Sequence, residues 1–277
     1  MSAPRFCQRL GYLMLWVKAQ GKENRLPRQY RPSHNASADF EALVRELGSC
    51  DGCKHILEVG GGANPFLPLD FVQRHGIEYR VLDISADELA KGPTGYVKLV
   101  GDVCDPSLRL PERFDLIFSR MVAEHVRDGE VFHRNIQQLL VPGGVTVHIF
   151  PTLYAFPFLI NGYFPEWLTS WLLDILQPGI RRKEGRQRKF PAYYSWCRGP
   201  SKRQFDRLGR LGYRVERYIG YFGHDGYYRR IKPLYLLNQW LSQMLLRHPL
   251  PLLTSYAIVV LRNDGGGPGP GHGPASR

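Results

Sequence analysis

The chain has 277 residues, 43% hydrophobic and 22% charged, a balance that excludes a disordered chain and suits one large domain with a sizeable core. Its formal net charge of +12 fits an anionic partner (nucleic acid, an anionic membrane face or an acidic substrate), or else a solvated basic surface with no partner at all. Five cysteines, Cys7, Cys50, Cys53, Cys104 and Cys197, are too scattered for a disulfide framework and point to a reducing, cytoplasmic setting.

Residues 1–38 read as a basic arm, partly helical. Arg5 and Arg9 precede only a short apolar stretch, Tyr12 to Val17, with no small-residue cleavage site behind it, which does not make a signal peptide. Residues 39–47 form a predicted helix that opens a core over residues 39–152. Cys50-Asp51-Gly52-Cys53 has zinc spacing, but no second pair completes a tetrahedral site. Ile56, Leu57 and Val59 then form a buried strand that runs straight into Gly60-Gly61-Gly62-Ala63-Asn64-Pro65. Glycines there let the backbone approach a ligand and adopt positive φ, and a helix following such a turn offers free N–H groups.

A second strand, Tyr79 to Ile84, carries Asp83 near its end, where a carboxylate can accept both hydroxyls of a ribose. Ser85 is the candidate cap of the next helix. Gly101-Asp102-Val103 closes a third strand. Phe114 to Arg120 is a fourth, with Ser119 and Arg120 at its mouth and Glu124-His125-Val126 beyond it. Residues 130–140 give the clearest helix, ended by Pro142 and Gly143-Gly144, and Val145 to Phe150 is a fifth strand. Strand and helix alternate throughout, which implies a parallel sheet covered on both faces.

The pattern changes after residue 152. Residues 153–200 form an apolar and basic insertion. Its apolar part, residues 153–176, is broken by Pro157 and Pro165 and carries Glu166 and Asp174, so it is not a spanning helix. With the basic run Arg181, Arg182, Lys183, Arg186, Arg188 and Lys189 it would meet an anionic membrane or cap the sheet. Residues 201–263 supply a closing helix (201–211), a strand (213–221) and a last strand (255–262), with an insertion at 227–254 that contains an apolar helix, 235–246, expected as a cover beside the site. The glycine- and proline-rich tail, 264–277, is expected to be disordered.

This ordered set resembles the class I S-adenosylmethionine-dependent methyltransferases, in particular the small-molecule group whose fourth strand leads into a Glu-His pair. The resemblance is best over residues 41–151 and looser over 212–221 and 255–262. It implies an α/β fold: a doubly wound, mostly parallel, Rossmann-like sheet of seven strands with helical cover insertions, the last two strands antiparallel. It also implies S-adenosyl-L-methionine as cofactor, held by Glu58, Gly60, Gly61, Gly62, Asn64, Asp83, Ile84, Asp102, Val103, Ser119 and Arg120. Within that set Glu58 serves the ammonium head, Asp83 the ribose, and Asp102 with the Val103 N–H the adenine, Asp105 being the alternative to Asp102. Asn64 stands where the pattern often has a third glycine, a place asparagine fills because it tolerates left-handed geometry. In ubiquinone-pathway O-methyltransferases a similar Glu-His pair follows another acid and is linked to a divalent metal. Met121 occupies that earlier position here, and no metal is expected. Dinucleotide binding fits less well, because residues 60–65 do not give G-x-G-x-x-G in register.

Methyl transfer is an in-line displacement, so alignment supplies much of the catalysis, and a base is needed mainly for a protonated hydroxyl. His125, His148 and His224 are the candidate bases. His125 is favoured by its place after the fourth strand at the carboxyl edge of the sheet, although each is equally readable as a structural histidine. The aromatic and arginine clusters at 193–198 and 221–230 suit a pocket wall, a stacking platform for RNA or a plain core. The expected activity is methylation, at oxygen, of a small metabolite, a sugar or a lipid-linked acceptor. An RNA methyltransferase and a non-catalytic cofactor-binding scaffold are the alternatives. The first lacks a recognisable RNA-binding module, and the intact glycine turn with Asp83 speaks against the second.

Overall fold

The computed structural model describes residues 27–153, 191–224, 228 and 231–265. Most of the apolar stretch at 153–176, the basic run at 181–189 and nearly all of the tail lie outside those residues. In chain order the elements are β1 (Arg28–Pro32), α1 (Ala36–Gly48), β2 (His55–Val59), α2 (Leu69–Arg74), β3 (Glu78–Asp83), α3 (Ala86–Lys91), β4 (Val97–Val100), β5 (Phe114–Arg120), α4 (Gly129–Leu139), β6 (Leu140–Pro151), α5 (Lys202–Arg210), β7 (Tyr213–Phe222), α6 (Lys232–Arg247) and β8 (Tyr256–Asn263). They build one eight-stranded sheet in the order β1-β7-β8-β6-β5-β2-β3-β4.

Strands β4, β3, β2, β5 and β6 run parallel, while β8 is antiparallel to both β6 and β7. The doubly wound, mostly parallel sheet and its antiparallel closing pair are therefore as the sequence implies. The strand count is not. Residues 28–32, expected within a partly helical arm, form an eighth strand parallel to β7 with Tyr30 opposite Gly220. Pairing to a sheet edge overrides local preference here, and prolines at 27 and 32 bound the strand where they interrupt no interior ladder. Tyr30 stacks on Phe222 at 5.4 Å, and Arg31 pairs with Asp39 at 3.0 Å.

Side-chain alternation divides each central strand between two layers. Ile56, Val81, Leu116, Phe118 and Val147 pack with Phe40, Leu43, Val44 and Leu47 of α1 on one face. Leu57, Leu82 and Ile117 pack with Phe132, Ile136 and Leu139 of α4 on the other. Helix α4 starts where the Asp128 carboxylate accepts from the N–H groups of Glu130 and Val131, an ordinary N-cap. It ends at Leu139, and Leu140 already pairs with Phe114 in the sheet, the residues before Val145 bulging out of register. Two fully buried histidines, His133 and His148, stand 5.5 Å apart between α4 and the sheet.

Phe118 lies in the first layer. It is fully buried and within ring contact of Phe40, Phe66 and Tyr79. Phe118→Ala should lower the unfolding free energy by about 3–5 kcal/mol through lost burial and the cavity left behind. Urea unfolding followed by circular dichroism measures this, and a loss under 1 kcal/mol would contradict the packing described.

Candidate active site

A cavity of about 480 Å³ opens at the carboxyl ends of β2, β3, β4 and β5, lined by residues that include Val59, Gly60, Leu82, Asp83, Ile84, Asp102, Val103, Met121, His125 and Tyr193. That edge is where open α/β sheets bind ligands, and the volume suits a small molecule. The floor is the turn after β2. Gly60 has φ +78°, its N–H donates to the Leu82 carbonyl at 2.7 Å, and a Cβ there would stand 2.2 Å from Val122. Gly62 also has positive φ, +48°. Asn64 does not use left-handed geometry, because its N–H closes an ordinary turn onto the Gly61 carbonyl at 3.0 Å.

Two acids reach the cavity. Asp83 is oriented by the Ser85 N–H, which donates to its Oδ1 at 2.9 Å, while Ser85 caps α3 through the Glu88 N–H as expected. Its Oδ2 lies on the Gly62 side of the cavity floor. Asp102 turns the chain after β4 by accepting from the Cys104 N–H at 2.8 Å. Asp105, the alternative to Asp102, spends its carboxylate on Ser107 and does not line the cavity. Asn135 of α4 fixes this loop by donating to the carbonyls of Val103 and Asp105, both at 2.8 Å. Cys104 lines the same wall, but burial pushes its thiol up to about 12, so it is no nucleophile at neutral pH.

The structure gathers Gly60, Asp83, Ile84, Asp102, Val103 and His125 around one cavity, and it places Glu58, Gly61, Gly62, Asn64, Ser119 and Arg120 outside its lining. Glu58 is 2% exposed and sits behind the turn. Its Oε2 accepts from the Phe66 N–H at 2.9 Å and from the Tyr79 hydroxyl. Burial raises its pKa despite these bonds. Ser119 is fully buried, with its hydroxyl 2.8 Å from His148 Nδ1, and Arg120 lies over the Phe66 ring.

Among the candidate bases, His148 has both ring nitrogens engaged, to Ser119 and Thr146 at 2.8 Å each. Burial holds its pKa well below the usual histidine value, so it is a structural histidine. His224 is buried against Ser255 and held down to about 4, and it too lies off the cavity. His125 alone of the three lines it. Its Nδ1 is 3.1 Å from the carbonyl oxygen of Pro191, and its Nε2 is 3.8 Å from Glu124 Oε1.

Pro191 and Tyr193 complete the lining beside His125. The N–H groups of Tyr193 and Tyr194 donate to the Glu124 carbonyl at 2.7 and 3.0 Å, and Arg127 donates to the Tyr193 hydroxyl at 2.9 Å. Met121, Tyr194 and Trp196 all take positive φ, conformations that non-glycine residues hold only when their surroundings dictate them. The aromatic cluster at 193–198 was visible in the sequence. Arg127 and Asn135 carried no signal beyond their residue type. His55, Glu78 and Glu112 bring three potential metal-ligand atoms together, but they lie at the amino ends of the strands, away from the cavity, and Arg80 already pairs with Glu112.

Residues 28–197, more than half of the chain, match the family described as "Methyltransferase domain". The chain belongs to this family. It is a class I S-adenosylmethionine-dependent methyltransferase, and S-adenosylmethionine is its cofactor. No curated protein matches it. Among solved structures it is similar to an S-adenosylmethionine-dependent methyltransferase from Mesorhizobium loti, with 22% identity over 81% of this chain and 97% of that one, TM-score 0.45. A second, from Archaeoglobus fulgidus, shows 16% identity over 91% and 99%, TM-score 0.49. Geranyl diphosphate C-methyltransferase from Streptomyces coelicolor shows 14% identity over 82% and 78%, TM-score 0.50, a likeness of fold. The donor set of this methyltransferase suits the cofactor: two carboxylates for hydroxyl and amine donors, on walls otherwise formed by Leu82, Ile84, Val103 and Val126.

Two measurements check the site. In calorimetry, Asp83→Ala and Gly60→Val should each weaken S-adenosylmethionine binding at least about tenfold, as expected for a lost charge-assisted hydrogen bond or a blocked turn. Unchanged affinity in both variants would displace the cofactor from this cavity. The second concerns Glu124, 5% exposed and with Oε2 unpartnered, whose carboxyl burial pushes up from 4.5 to about 7. The unfolded carboxyl releases its proton near 4.5 and the folded one only near 7, so stability is full below 4.5 and falls as pH rises to 7, by on the order of 3 kcal/mol. Glu124→Gln should remove that loss, raising the melting temperature at pH 8 far more than at pH 5. Equal shifts at both pH values would count against this account.

Proposed function

We propose that this methyltransferase transfers its methyl group to a hydroxyl oxygen of a small acceptor, such as a sugar or a lipid-linked precursor, with His125 as general base. The bound cofactor supplies an electrophilic methyl on a sulfonium. The acceptor hydroxyl has to lose a proton as it attacks, and a lone pair must face it. The observation that carries the reading is the contact between His125 Nδ1 and the Pro191 carbonyl. A carbonyl only accepts, so the neutral ring carries its proton on Nδ1 and its lone pair on Nε2. His125 is on the cavity wall with that nitrogen turned toward the Glu124 side.

Glu124 supports the same reading. Above about pH 7, where it is ionised, its carboxylate, 3.8 Å from Nε2, stabilises the imidazolium that forms when His125 takes the proton, and its backbone carbonyl fixes Tyr193 in the cavity lining. Tyr193 and Arg127 border the space left for the acceptor, a ring and a cation suited to a sugar face or an anionic group.

His125→Ala should lower turnover about 10²–10⁴-fold, the range for a lost general base, while leaving S-adenosylmethionine affinity close to wild type. The assay incubates an extract of small molecules and lipids with an isotopically labelled methyl donor and locates the label by mass spectrometry, with RNA treated in parallel. Undiminished turnover in His125→Ala would refute the base, and label on nitrogen, carbon or RNA would refute the oxygen acceptor.

A further inference from the structure

Helix α6 keeps an apolar face on the side turned away from the protein. A surface helix normally turns its apolar stripe toward the protein and its polar residues to water. In α6 the inward face mixes Tyr235, Leu245 and Leu246 with Asn238, Gln239 and Ser242: Asn238 Oδ1 accepts from the His224 N–H at 3.2 Å, and Ser242, 6% exposed, donates to the Asn238 carbonyl at 2.7 Å. The outward face carries Leu234, Leu237, Leu241 and Met244, with Leu236 and Trp240 beside them, and Trp240 is 59% exposed. The short turn Pro251–Leu253 after the helix adds Leu252 and Leu253 to the exposed set. Of the fourteen large apolar side chains exposed among the described residues, nine fall between Leu234 and Leu253. Such a concentration marks an interaction surface rather than the scattered apolar exposure of any protein.

Charge selects the occupant. From residue 226 to residue 254 the sequence has no aspartate or glutamate, yet it has Arg229, Arg230, Lys232 and Arg247. Lys232 and Arg247 are exposed at the two ends of α6. A second copy docked face to face would set these cations near their own equivalents with no acid in the segment to meet them. A helix with leucines and a tryptophan on one side and cations at its ends instead suits an anionic bilayer, in which it lies in the interface plane. At sixteen residues it is too short to span, and among the described residues no helix is long and apolar enough to cross a membrane.

We propose that the outward face of α6, with the turn Pro251–Leu253, docks this methyltransferase on an anionic lipid surface. Its place in the fold gives that docking a use. Strand β7 ends at Phe222 just before α6, and β8 begins at Tyr256 opposite Pro151, the carboxyl end of β6. The segment that carries α6 therefore leaves and rejoins the sheet at the edge at which the cavity opens. Docking rests on α6 alone, whereas delivery of a lipid-linked acceptor rests on the functional reading above.

The full-length protein should co-sediment with phosphatidylglycerol-containing vesicles and much less with phosphatidylcholine alone, and binding should weaken as salt rises. The double variant Leu237→Gln/Trp240→Gln, at two exposed positions, should reduce the partition coefficient roughly tenfold or more while S-adenosylmethionine affinity stays at the wild-type value. In wild type, brominated lipids should quench a component of tryptophan fluorescence that Trp240→Phe lacks. Vesicle binding undiminished in the double variant, or no quenching difference with Trp240→Phe, overturns the proposal. So does concentration-dependent dimerisation abolished by the same variant without vesicle binding, which would assign the face to a second copy. Vesicle binding that fails while methyl transfer to a soluble acceptor proceeds overturns the docking and leaves the catalytic reading standing.

Discussion

A single buried carboxylate holds the floor of this active site in place. Glu58 is the penultimate residue of the central strand β2, and its side chain joins that strand to the far end of the glycine turn through the Phe66 N–H and to β3 through the Tyr79 hydroxyl. Burying an ionisable group is unfavourable unless its lone pairs are met, and here two donors from different elements meet them. Phe66, fixed by that bond, packs on Phe40 of α1 and Phe118 of β5. The turn, the helix and three neighbouring strands thus share one anchor. The positive φ values at Gly60 and Gly62 persist because the chain is held at both ends of the turn.

The other wall depends on a second constraint, the backbone around Glu124. Its carbonyl takes two N–H groups from the returning chain, and Ser195 accepts from the Gly129 N–H at 2.9 Å. Met121, Tyr194 and Trp196 in this neighbourhood hold left-handed backbone geometry, and of these Tyr194 makes one of those contacts. Each such residue costs of order 1–3 kcal/mol, so the strain is concentrated beside Glu124 and Tyr193, while the turn after β2 takes its positive φ at glycines.

Much of this was legible in the amino-acid order. Buried strands announce themselves as apolar runs, and the features that end them fall at one sheet edge, which is why Gly60, Asp83, Asp102 and His125 were placed together. Glu58 was read toward the cofactor because its position in sequence adjoins the turn. Alternation along β2 puts the Glu58 side chain on the parity of Ile56, where Phe66 and Tyr79 meet it. Asp83 shows that a strand end points into the cavity on one parity and away from it on the other. His125 meets Pro191 across 66 positions, and no local pattern encodes such a contact. The exposed face of α6 was hidden for a related reason: its composition reads as an ordinary cover helix, and only the fold shows that its leucines and Trp240 are left on the outer side.

The eighth strand has a consequence for how molecules of this enzyme meet one another. Without β1 the outermost strand would be β7, whose Tyr218 to Phe222 stretch is buried and apolar, a flat template on which another chain could add itself as a strand. With β1 in place the rim is five residues long, carries Arg28 and Arg31, and closes on Pro32, which has no N–H to offer. The short N-terminal strand thus acts as a charged selvedge. It finishes a sheet that would otherwise keep growing from one molecule into the next.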